Sequence, residues 1–111
     1  MEIAFDDFNK VDIRVGTVTR AEPFPEARIP AIKLWVDFGG GIGEKKTSAQ
    51  ITKYYIPDDL IGRQVAAVVN FPPKQIGQFM SEILVLGFPD EEGEVVLLTP
   101  DRAIPDGGKL F

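Results

Sequence analysis

The chain has 111 residues, 44% of them hydrophobic and 26% charged, with no cysteine, no histidine and a net charge of −5. This is enough for one domain with a single core and too little for two. The missing residue types exclude disulfides, thiol catalysis and cysteine-ligated metals, and remove the commonest general base and metal ligand.

In chain order, Val11, Ile13 and Val15 alternate with Asp12 and Arg14, the pattern of a half-buried strand. After Gly16 the apolar phase slips to Val18, so a bulge or barrel bend is expected at that glycine. Glu22-Pro23-Phe24-Pro25-Glu26 ends the strand. In the next run Ile32, Leu34, Val36 and Phe38 face one way and Lys33, Trp35 and Asp37 the other; Gly39-Gly40-Gly41 closes it. Trp35 thus falls on the polar face, as a ring lying on a neighbouring side chain, a stacking platform for a ligand, or part of a subunit interface.

Lys45 to Thr52 reads as a short strand leading into Tyr54-Tyr55. Pro57-Asp58-Asp59-Leu60 reads as a helical turn with proline at its first position and acids near its N-terminus. Val65 to Val69, Ile83 to Leu86 and Val95 to Leu98 are apolar at consecutive positions. An antiparallel strand with one wet face alternates, and no long helix is present to cover a second face. These strands predict an obligate dimer. Many short strands, frequent Gly and Pro, and a mid-chain helical insertion indicate an all-β fold, a five-stranded OB-type barrel formed by residues 1–111 as a single domain.

The segment from Asn70 to Ile83 connects two apolar strands. Pro72 and Pro73 exclude helix and central strand there. Phe71, Ile76, Phe79 and Met80 on such a connection mark a binding surface or an oligomer interface. With Trp35 they form the candidate polypeptide-binding site, with Ile76 and Phe79 either held outward toward a ligand or packed under the loop as a small satellite core.

Charge is uneven along the chain. Residues 1–43 carry seven acids and five bases, net −2; residues 44–81 carry three and five, net +2; residues 82–111 carry seven and two, net −5. A weakly basic island lies inside an acidic protein, and modest phosphate binding fits it. Ser48 and Ser81 sit in no nucleophile elbow, and the glycine run opens no helix. The acid pairs and triplet, Asp6-Asp7, Asp58-Asp59 and Asp90-Glu91-Glu92, stand beside turn residues and read as solvated acids. No enzyme activity, cofactor or metal is expected. No apolar run approaches the roughly 18–20 residues of a membrane span. The start, Met-Glu-Ile-Ala-Phe-Asp-Asp, lacks a basic signal region, so the expected location is the cytoplasm without membrane insertion.

Val11-Asp12-Ile13-Arg14-Val15-Gly16-Thr17-Val18 resembles the opening strand of the tRNA-binding domain family. This OB-fold family includes appended modules of some methionyl-tRNA synthetases and free tRNA-binding proteins. Phe24-Pro25-Glu26-Ala27, Lys45 to Ser48 (a basic-serine turn in the family pattern), and Asn70, Lys74, Gly77 and Ser81 match its other marks. The resemblance implies an OB barrel and, as RNA contacts, Lys45, Lys46, Ser48, Asn70, Lys74 and Ser81. Three longer segments, Phe24 to Leu34, Ser48 to Thr52 and Val69 to Lys74, resemble the family's bacterial export-related chaperones. That branch implies a homodimer with both chain ends in its interface, unfolded or pre-export polypeptides as clients, and export machinery as a further partner. Glu82-Ile83 replaces the Gly-Met pair of tRNA-binding members, and Gln75 and Gln78 stand where arginine is common. Fewer cations at the same loop favour polypeptide over RNA.

Overall fold

A computed structural model describes residues 1–111. Helix α1 spans Phe5–Asn9, followed by strands β1 (Ile13–Pro23), β2 (Ile32–Asp37) and β3 (Glu44–Ala49), the turn α2 (Pro57–Leu60), and β4 (Gln64–Val68). The hairpin β5 (Lys74–Ile76) and β6 (Phe79–Ser81) comes next, then β7 (Leu84–Val85), β8 (Gly87–Pro89) and β9 (Val95–Leu97). Five strands form one antiparallel sheet in the order β3-β2-β1-β4-β7, curled into a nearly closed barrel of OB type.

Strand β1 makes the barrel possible because it serves two neighbours. Its first half pairs with β4, from Ile13↔Val68 to Thr17↔Gln64, and its second half with β2, from Thr17↔Asp37 to Pro23↔Ile32. The register breaks between Val18 and Arg20, so the bulge lies at Thr19 rather than at Gly16. Gly16 has a different task. A Cβ there would lie 2.6 Å from Val36 Cγ1 and 2.9 Å from the Asp37 carbonyl oxygen, so only hydrogen fits inside the bend.

The alternation read in β2 is borne out: Ile32, Leu34, Val36 and Phe38 are all buried, within one cluster that includes Val18, Ile51, Leu60, Val65, Ala67, Ile83 and Leu97. Pro57-Asp58-Asp59-Leu60 is the helical turn that its proline and acids predict, and Leu60 plugs the core. The short helix α1 was not evident from sequence. It buries no residue and is tied at its start by Ala4 N–H donating to Asp7 Oδ2 at 3.0 Å.

Barrel closure runs through Thr47, the one fully buried polar side chain. Its hydroxyl donates to the Ile83 carbonyl at 2.8 Å and accepts from Ser81 Oγ at 2.7 Å. Glu82 N–H donates to the Lys46 carbonyl at 2.8 Å, and Lys46 N–H to Glu82 Oε1 at 3.0 Å. Every buried polar side chain at the seam is therefore satisfied, as a low-dielectric interior requires.

The apolar strands late in the chain divide between core and surface. Val65, Ala67, Ile83 and Leu97 fill the barrel, while Leu84, Phe88 and Val96 remain exposed on the single chain. Phe88 lies directly opposite Val96 in the β8–β9 pair. The expected strand Ile83–Leu86 is split: the chain leaves the barrel after β7 to form the β8–β9 hairpin, closed by the acid-rich turn. Asp90 Oδ1 accepts from the Glu92 and Glu94 amides, both at 2.9 Å, which gives that triplet a turn-capping task. The other two acid pairs occupy the first turns of α1 and α2.

Candidate functional site

The connection from Asn70 to Ile83 is not a loop but a β-hairpin. Lys74↔Ser81 and Ile76↔Phe79 pair across the two-residue turn Gly77-Gln78, where Gly77 takes φ +61°. Directly opposed residues share a face, so Ile76 and Phe79 lie together, with Gln75 and Met80 on the other side.

That inner face turns toward the barrel. Phe79 is 8% exposed and packs with Phe24 and Ala31 in a small cluster separate from the main core, supported by Ala27, Trp35 and Ile76. Of the two expected arrangements, the outward one is corrected and the small satellite core is found: opposition in the hairpin carries Ile76 and Phe79 inward. Phe79 meets Phe24 edge-on at 5.5 Å between centroids and Trp35 at 6.0 Å. Phe71 and Met80, by contrast, are 49% and 38% exposed.

Cations surround these rings. Arg20 lies 4.4 Å from the Trp35 ring centroid and pairs with Glu22. Lys33 stands 4.7 Å from Phe24 and 5.1 Å from Phe79, and Lys46 stands 5.2 Å from Phe79. Neither lysine has a carboxylate partner. Trp35 is therefore an amphipathic ring lying against Arg20, with its edge toward Phe79. Together these residues form a mixed aromatic and cationic surface on the outer face of β1, β2 and β3, bounded by the β1–β2 loop and the hairpin. In OB folds this is the ligand face.

The residues matched to RNA contacts are dispersed. Lys45 to Ser48 lie within strand β3 rather than in a turn, so Lys46 and Ser48 share the outer face and Lys45 points to the opposite one. Asn70 is occupied: its Oδ1 accepts from Asp12 N–H at 3.0 Å and its Nδ2 donates to the Lys10 carbonyl at 2.7 Å. Ser81 is engaged with Thr47 and accepts from Ser48 N–H at 3.4 Å. Lys74 is exposed at the start of β5. Sequence reasoning missed Arg20, Lys33 and Phe24, although the outward alternation of β2 marks Lys33 beside Trp35.

A second feature lies at the other end of β1. The C-terminal segment pairs with β1, through Gly107 N–H to the Val15 carbonyl and Leu110 N–H to the Ile13 carbonyl, both at 2.8 Å. Beneath it is a mostly apolar cavity of about 460 Å³, lined by Ile13, Val15, Leu98, Ile104, Leu110 and Phe111 among others. No group of three or more acidic side chains is arranged to hold a metal ion. No helix is long and apolar enough to cross a membrane.

A family model described as "Putative tRNA binding domain" matches residues 13–109, and the chain belongs to that family. Among solved structures it is similar to the chaperone CsaA of Bacillus anthracis str. Ames, 56% identical with a TM-score of 0.93 over 100% of both chains. The CsaA chaperone protein of Picrophilus torridus is 52% identical, with a TM-score of 0.91 over 99% of this chain and 100% of that one. Methionine–tRNA ligase of Porphyromonas gingivalis (strain ATCC 33277) is 34% identical over 109 residues, which are 98% of this chain and 16% of the ligase. The chain thus spans about one sixth of such ligases, in the region of an accessory rather than a catalytic domain.

Proposed function

We propose that this protein is a non-enzymatic chaperone that holds unfolded or pre-export polypeptides and works as a homodimer in the cytoplasm. One observation carries the reading. On the hairpin and the segment leading into it, apolar Phe71 and Met80 are exposed, while Asn70 and Ser81, polar side chains matched to RNA contacts, are consumed by internal hydrogen bonds. Phenylalanine and methionine suit promiscuous capture because their surfaces adapt to different partners. The whole-length likeness to CsaA chaperones supports the same function. Transfer of clients to export machinery is part of the same proposal.

The dimer reading is supported by apolar surface left bare on one chain. Leu84, Phe88 and Val96 on the late strands and Leu110 and Phe111 at the C-terminus are exposed. Sedimentation at micromolar concentration should give the mass of two chains.

A second reading, tRNA binding, is favoured by Lys33 and Lys46, which lack carboxylate partners on the OB ligand face. Salt separates the two. Polypeptide capture by apolar contact should change little as salt rises, whereas phosphate binding falls steeply. Titration of a labelled unfolded polypeptide at two salt concentrations is the test; failure to bind it at either one would remove the chaperone reading.

A further inference from the structure

Residues 74–81 make no backbone hydrogen bond to the five-stranded sheet. The hairpin is held at its base, where Ser81 and Glu82 meet β3, and on its inner face by Phe79. Pro72 and Pro73, at its other end, supply no backbone donors, so that end cannot be zipped to a neighbouring strand. Phe79 belongs to a cluster distinct from the barrel core, in which its ring meets the rings of Phe24 and Trp35 and the small side chain of Ala31 packs beside them. Lys33 and Lys46 stand at the rim without carboxylate partners.

We propose that the seat formed by Phe24, Ala31 and Trp35 is a binding site for an aromatic or large aliphatic side chain of an extended polypeptide, and that Phe79 fills it when no client is bound. This deepens the polypeptide-holding function and rests on it. A seat that accepts one ring edge-on accepts another at similar energy. Exchange of Phe79 for a client ring therefore keeps the seat filled and releases the hairpin. The hairpin's own ladder moves with it, so no buried backbone group loses its partner. The barrel core is a separate cluster and keeps its packing. The rim lysines donate hydrogen bonds to carbonyl oxygens of the client backbone.

Hydrogen exchange on the full chain, alone and saturated with a permanently unfolded, tryptophan-free probe (reduced, carboxymethylated ribonuclease A), tests this. It is read together with acrylamide quenching of Trp35, the single tryptophan. With probe bound, amides of residues 74–81 should exchange several-fold faster while Trp35 stays shielded. Phe79→Ala should bind the probe about tenfold more tightly, because the seat is already open. Phe24→Ala should bind it about tenfold more weakly. Slower hairpin exchange on probe binding, or weaker binding by Phe79→Ala, overturns the seat and leaves polypeptide binding standing. No probe binding by the wild-type chain overturns the functional reading and the seat with it. If Phe79→Ala does not fold, exchange and quenching on the wild-type chain decide.

Discussion

Phe79 meets Trp35 edge-on, with centroids 6.0 Å apart and ring planes at 81°. One residue comes from the hairpin and the other from the outer face of a central strand, so this contact holds the hairpin against the barrel. Phe79→Ala should lower the unfolding free energy by about 1–3 kcal/mol, less than the about 3–5 kcal/mol of a Phe→Ala change in a main core. Tryptophan emission should shift to the red, because Trp35 gains water. Urea unfolding followed by fluorescence checks both effects.

Gly16 sits where β1 bends against β2, and a Cβ there would meet Val36 Cγ1 at 2.6 Å and backbone oxygen at 2.9 Å. Gly16→Ala should therefore destabilise by about 1–3 kcal/mol through overpacking. Gly41→Ala, whose added methyl would meet nothing within 4 Å, should be close to neutral. Paired urea midpoints would show the contrast.

Much of the barrel was legible in the sequence, and the parts that were not share a cause. Strand β2 was readable because one face is fully buried and strict alternation follows. The turn at Pro57 was readable because proline and acids have positional meaning at a helix start. The hairpin was hidden by Pro72-Pro73 and by strands of three residues each, although Gly77-Gln78 between apolar flanks is a two-residue turn signal. A bulge or barrel bend was legible at Gly16 from the slip of the apolar phase; the bend is there and the bulge is at Thr19, because packing space and register break are separate properties of that strand. Asn70 and Ser81 were matched to RNA contacts because their internal partners, Asp12 and Thr47, are distant in sequence and met only in the fold.

Lys45 and Lys46 are neighbours on β3 but face opposite ways. If tRNA binds through the outer face of β2 and β3, Lys46→Ala should reduce the log–log salt slope by about 0.7–0.9. Lys45→Ala should leave it nearly unchanged. Equal effects from both would place the RNA at the strand edge instead of on its face.

The Tyr54 hydroxyl donates to the Asp90 carboxylate, joining the segment after β3 to the β8–β9 turn. That bond raises the tyrosine pKa above 10.0 and lowers the Asp90 pKa below 3.8. Its stabilisation is present between those two values. It is lost as pH falls from about 3.8 through the lowered Asp90 value, and as pH rises from about 10 through the raised Tyr54 value. Tyr54→Phe should be less stable than wild type at pH 7, with the difference vanishing at both extremes. Melting temperatures across pH would reveal this flat-topped difference.

The most direct measurement is a competition. Labelled unfolded polypeptide bound to the protein is challenged with excess tRNA at about 50 and about 200 mM salt, the range over which phosphate-driven binding changes most. A chaperone working through Phe71, Met80 and the aromatic seat should retain its polypeptide at both concentrations, with nearly the same affinity. Displacement by tRNA at the lower salt, with steep loss of tRNA affinity at the higher, would contradict the account and make this face an RNA-binding surface.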